Sequence, residues 1–144
     1  MFGEKTIKEI IKCIFIFIIA GITYYLIEIM WRGYSHYTMF ILGGMCGLAI
    51  DLLNEQIEWD MPFWKQLLLG TIIVVILEFI AGCFLNIWLN LNIWDYSSMQ
   101  FNILGQICPQ YILLWIPLVA FWIVAADLLR FKICKEEKPR YRCI

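Results

Sequence analysis

Four apolar runs divide this chain of 144 residues, and each must be kept out of water along its length. They extend from Cys13 to Trp31, from Tyr37 to Leu53, from Leu67 to Leu89 and from Tyr111 to Leu129. A hydrocarbon core of about 30 Å is crossed by roughly 20 helical residues, so each run suits a span. Charged residues make up only 16% of the chain, against about 25% in soluble domains. The mean hydropathy of +0.77 agrees. Barrel strands would read as alternating segments of about ten residues, whereas these runs are unbroken. The expected fold class is therefore all-α, a polytopic membrane protein with four transmembrane helices. The second run is the weakest, because it holds Gly43, Gly44, Gly47 and Asp51.

A block occurs twice. Tyr34-Ser35 through Ile41-Leu42-Gly43 to Cys46 is matched by Tyr96-Ser97 through Ile103-Leu104-Gly105 to Cys108, identical at six of thirteen ungapped positions at an offset of 62. Chance is the competing reading in a chain that is 62% hydrophobic. Duplication predicts two parallel-related hairpins, one over about 10–54 and one over about 64–131, forming a single transmembrane domain over 1–131 before a basic cytoplasmic tail, 132–144.

Positive charge sets the expected orientation. Lys5, Lys8 and Lys12 precede the first run, and Arg130, Lys132, Lys135, Lys138, Arg140 and Arg142 follow the fourth. Lys65 separates the second and third runs, Arg32 alone separates the first and second, and none lies between Gln66 and Leu129. Both termini are expected in the cytoplasm and both Tyr-Ser blocks outside. The lysine-rich opening is not a cleaved signal, because the run after it is too long and no small-x-small site ends it. Met1 to Glu9 reads as a short amphipathic cap. The six cysteines show no C-x-x-C spacing and read as packing residues, with Cys46 and Cys108 at equivalent depths.

Ionisable residues inside apolar helices mark function or a structural lock. Glu78 shares one helix face with Thr71, Gly82 and Asn86. Glu28 and Arg32 are i, i+4 partners; the arginine either pairs locally or reaches Glu78, with local pairing the default. His36, the only histidine, is a surface residue or a proton relay. Gly43 and Gly47 form a small-xxx-small packing face, while Asp51 and Asp127 read as hydrated charges near helix ends. The polar segment Asn86 to Gln110 carries Trp94, Asp95, Tyr96 and Asn102, and the plainer interpretation is a loop anchored in the headgroups, with Trp88, Trp94 and Tyr96 in the interfacial aromatic belt. A fourth helix beginning near Phe101 would be too long for one straight crossing, so a break at Pro109 is expected, with Pro117 a second kink. The distal tail reads as a flexible basic segment drawn to anionic lipid. No nucleotide-binding loop, nucleophile elbow or metal-spaced cluster is present in the sequence.

The stretch Tyr25-x-x-Glu28-x-x-x-Arg32-Gly33-x-Ser35-His36-x-x-Met39-x-x-x-Gly43-Gly44 resembles a family of small bacterial membrane proteins labelled ABC-transporter type IV (CmpB-like). The same holds for Glu78-x-x-x-Gly82 and for Trp94-Asp95-Tyr96-Ser97-x-x-x-Phe101-Asn102-x-x-Gly105-Gln106-Ile107-Cys108. The likeness covers nearly the whole chain and implies that Glu28, Arg32, His36, Glu78, Trp94, Asp95 and Asn102 belong to the family pattern. It also implies a multi-pass protein of the bacterial cytoplasmic membrane. Pro109 departs from the pattern, at a position associated with an apolar or small residue.

Together these readings predict a transporter or transporter subunit with an outward-facing polar pocket centred on Glu78, with Glu28, Arg32 and Asp95 at its mouth and His36, Trp94, Tyr96 and Asn102 as further binding candidates. Alternatives are a non-catalytic scaffold whose Glu-Arg-Asp cluster only locks the helices, and, more weakly, a lipid-headgroup enzyme. No enzymatic activity, metal or cofactor is expected. The expected partners are membrane lipid, a second copy or a partner subunit, and an unidentified small substrate or ion, with no nucleic acid.

Overall fold

Four long helices account for most of the chain in the computed structural model, which describes residues 2–58, 60–137 and 139–143. They are α1 (Phe2–Arg32), α2 (Tyr37–Gln56), α3 (Phe63–Gly82) and α4 (Pro109–Ile133). A π-helical stretch, π1 (Cys83–Trp88), extends α3. All four, α3 taken together with π1, are long and apolar enough to cross a membrane; the shortest, α2, has 20 residues and so a length of about 30 Å. Among the described residues there is no β-strand, only isolated bridges between Pro62 and Arg142 and between Ile103 and Ile107. Lys138, counted above with the basic tail, lies outside the described residues.

The helix ends correct several expectations. The amphipathic opening is no separate cap but the first turns of α1, with Ile7, Ile10 and Ile11 exposed along it. Helix four does not start near Phe101 and break at Pro109. It starts at Pro109, where a missing N–H costs nothing and the fixed φ is already helical. The two copies of the repeated block also differ in backbone. The first enters α2 at Tyr37, while the second stays non-helical up to Cys108, with left-handed φ at Phe101, Leu104 and Gly105.

The packing falls into two units. One contains α1, α2 and the chain from Trp122 to Arg140; the other contains residues 57–121 and 141–144. In the first unit α1 and α2 touch through glycines. A Cβ built on Gly47 would lie 2.2 Å from the Ala20 Cβ, and one on Gly43 would lie 2.5 Å from the Tyr24 Cβ. Gly21 answers from α1, where an added Cβ would meet the Phe40 carbonyl at 2.6 Å. Small residues matter here because lipid tails are as apolar as leucine, so helices associate through close backbone approach. The Trp122 indole N–H, donated to the Gly47 carbonyl at 2.9 Å, ties α4 to the same spot.

In the second unit α3, π1 and the N-terminal half of α4 flank the connection 89–108. The C-terminal residues dock here too, which the flexible-tail reading missed. Phe63 N–H is donated to the Arg142 carbonyl at 2.7 Å, and the Tyr141 ring meets Phe63 edge-on. One of the orphan donors at the α3 N-terminus is thereby satisfied.

Candidate functional site

Glu78 is 4% exposed on α3. The helix face proposed for it holds, since Thr71, Gly82 and Asn86 are buried with it. The Glu78 carboxyl accepts the Trp115 indole N–H at 2.7 Å. A polar group taken from water into an apolar setting needs such a partner, and Trp115 supplies it from α4, 37 positions along the chain. No sequence signal pairs these two residues, because an apolar helix containing tryptophan looks the same whether that residue faces lipid or protein.

Beyond Glu78 the helix widens into π1, a feature frequent at functional sites. There the Asn86 amide donates to Gln106 Oε1 at 2.9 Å, and Asn86 Oδ1 accepts the Ile93 N–H at 2.7 Å. Gln106 also packs on Gly82, where any Cβ would lie 2.6 Å from its Oε1. The connection 89–108 is thus folded back on the end of α3 by amide pairs.

Each predicted residue of that connection has a defined place. Trp94 is not an interfacial anchor. It is 6% exposed, while Trp88 is 72% exposed, and its indole donates to the Gln106 carbonyl at 3.1 Å. Asp95 is exposed and accepts both the Ser97 N–H (2.8 Å) and the Ser97 hydroxyl (2.6 Å), a local turn that fixes the loop. The hydroxyl bond and then the amide bond hold its carboxyl below the ordinary aspartate value. Asn102 donates to the carbonyls of Ser97 and Met99 and accepts the Gly105 N–H at 2.9 Å. Tyr96 stacks on Tyr111 with ring centroids 4.3 Å apart. Phe101 and Leu104, both exposed, take φ of 58° and 52°, a conformation that costs about 1–3 kcal/mol per non-glycine residue.

In the first unit, Arg32 donates to Glu28 at 2.6 Å, and the Ser35 hydroxyl donates to the other carboxylate oxygen at 2.5 Å. Local pairing, the default from spacing, is present. Arg32 also lies over the Tyr34 ring, 5.2 Å from its centroid. His36 sits at the start of α2, its Nδ1 2.8 Å from the Thr38 hydroxyl and 3.4 Å from the Thr38 N–H.

The strongest polar cluster was misread from sequence. Asp51 is 2% exposed, not hydrated, and Arg130 grips it from α4 with two bonds, Nε to Oδ1 at 2.6 Å and Nη2 to Oδ2 at 2.5 Å. Arg130 Nη1 also contacts Glu55 and reaches Glu136 at 3.3 Å. Lys12 joins from α1, 2.8 Å from Glu55 and 2.5 Å from Glu136. Asp127 is half-buried and accepts the Asn54 amide at 2.8 Å. The turn after α4 makes this possible: Lys135 takes φ 56° and returns Glu136 to the cluster. Burial raises the Glu136 pKa, but the Lys12 hydrogen bond and the Arg130 charge outweigh it, so the carboxyl titrates below its ordinary value. One charged residue inside the second apolar run and another directly after the fourth were the available signal. All six cysteines are free thiols, with Cys46 and Cys108 buried.

Four apolar helices with charged groups held inside by specific donors define a multi-pass helical membrane protein. The chain belongs to the family described as "Putative ABC-transporter type IV", which matches residues 15–143. No curated protein and no solved structure matches it.

Proposed function

We propose that this protein is a transporter or transporter subunit in which Glu78 is the carboxylate that binds a proton or a small cation. One observation carries the reading: an ionisable side chain lies buried in the apolar run from Leu67 to Leu89, which holds no other charge, on a face continued by Gly82 and Asn86. Such a group is costly in a bilayer and marks an ion or proton path more often than a neutral position does. The Trp115 indole donates to one of its carboxyl oxygens. The family description supports the transport class. Four helices rarely enclose a pathway alone, so the reading includes a second copy or a partner subunit, and it assigns no catalytic step to the chain. The test is flux into proteoliposomes, with a pH-sensitive dye for protons and with sodium and potassium as cation probes, comparing wild type with Glu78→Gln. Loss of flux in the variant supports the carboxylate's role; equal flux removes it from the mechanism.

A scaffold reading is favoured by a different observation, the buried Asp51–Arg130 pair, which suits a lock between helices. It expects Asp51→Asn to lower detergent stability sharply and the reconstituted wild type to show no flux that depends on Glu78.

A further inference from the structure

The connection after π1 carries three large apolar side chains turned outward, Phe101 at 84% exposed, Leu104 at 66% and Ile103 at more than half. Two of them are held there by backbone that bulky residues avoid. Their depth follows from the second unit's own contacts. The third span, Phe63–Trp88, has 26 residues, about 39 Å of helix against about 30 Å of hydrocarbon. Centred, its ends overhang by about 4 to 5 Å each. Gly82, which touches Gln106, is six residues before Trp88 and so about 9 Å from that end, some 4 to 5 Å inside the hydrocarbon boundary. With the span so centred, the Gln106 contact brings the loop beside its last turns at that depth.

Irregular backbone survives at such depth only where its polar groups find partners within the protein. Here six consecutive carbonyls do. Those of Ile103, Gly105, Ile107 and Cys108 accept the N–H groups of Gln106, Tyr96, Ile103 and Ile112. The Leu104 carbonyl accepts the Gln106 side-chain amide and the Gln106 carbonyl accepts the Trp94 indole. Charge is absent from the sequence between Asp95 and Asp127. Ile72, Ile76, Ile80, Phe84, Ile87 and Trp88 are exposed as well along α3 and π1, beside which the loop folds.

We propose that residues 99–107 form a membrane wedge whose Phe101, Ile103 and Leu104 side chains lie among the acyl chains of the leaflet in which π1 ends. The wedge anchors the connection that carries Trp94 and Gln106 and bonds to Asn86, and it needs no assumption about transport. The test places a diazirine-bearing phenylalanine analogue at position 101 or 104, with Ile80 as the lipid-facing reference and Ser98 as the solvent reference. The full chain is reconstituted in phosphatidylcholine–phosphatidylglycerol vesicles, irradiated and read by mass spectrometry. Lipid adducts at 101 and 104, in yields matching the Ile80 position, are expected. Water adducts like those at Ser98, or cross-links to a second protein chain in place of lipid, overturn the proposal.

Discussion

Replacing Asp51 with alanine strips Arg130 of its two-pronged grip on that carboxylate while the guanidinium stays buried. Each charge-assisted hydrogen bond contributes about 1.5–3 kcal/mol, so their loss alone spans about 3–6 kcal/mol. Glu55 and Glu136 still reach Arg130 Nη1, which keeps the stranded charge partly compensated. The lower end, about 3 kcal/mol, is expected, within the range for breaking one side of a buried pair. Adding Arg130→Met removes the stranded charge and fills the site with an apolar side chain. Lys12 remains to hold Glu55 and Glu136, so the double variant should return to within about 1 kcal/mol of wild type. Unfolding in mixed micelles on titration with dodecyl sulfate, followed by tryptophan fluorescence, measures all three. The effect should change little with added salt, because screening acts on exposed charges. A single-variant cost under about 0.5 kcal/mol, or a double variant no better than the sum of its parts, would refute the buried-pair reasoning.

Three further outcomes are expected. Gly47→Leu should destabilise by about 1–3 kcal/mol or more, the cost of overpacking, because even a Cβ there overlaps Ala20; Gly3→Leu, with nothing within 4 Å, is the control, read by thermal unfolding in detergent. Trp115→Phe, which deletes the donor to Glu78, should cost about 1 kcal/mol and couple to Glu78→Gln by a similar amount in a double-mutant cycle. Asp95 titrates below its ordinary value of 3.8, so the stability it gives the loop is complete above that pH and is lost as pH falls through the lower folded value. Hydrogen exchange at Tyr96 and Ser97 should accordingly stay flat from pH 8 to 5, after correction for intrinsic rates, and rise only under acid conditions below about 4. A transition near neutral pH would assign the loop's titration to another group.

The number and placement of the helices were legible in the sequence, because solvation by lipid is set residue by residue along each run and needs no knowledge of partners. The Glu28–Arg32 pair was legible for a similar reason: i, i+4 spacing puts the two side chains together in any helix. The glycine face of α2 was also readable, since only small residues let another backbone come so close. What tertiary structure alone decided is which apolar faces meet. In a membrane, Val74, which is buried, and Ile72 and Ile76, which are exposed, are chemically alike, so periodicity carries little information about the core. Hence sequence alone reads Asp51 as hydrated although Arg130, 79 positions away, encloses it, and it places Glu78 on an inward face without revealing Trp115 as a partner. The connection 89–108 was hardest to foresee, because its shape rests on amide and indole bonds between residues brought together only when the chain folds back on α3. The sequence determined that the chain crosses the bilayer and which charges it carries there; the fold decided what each of those charges touches.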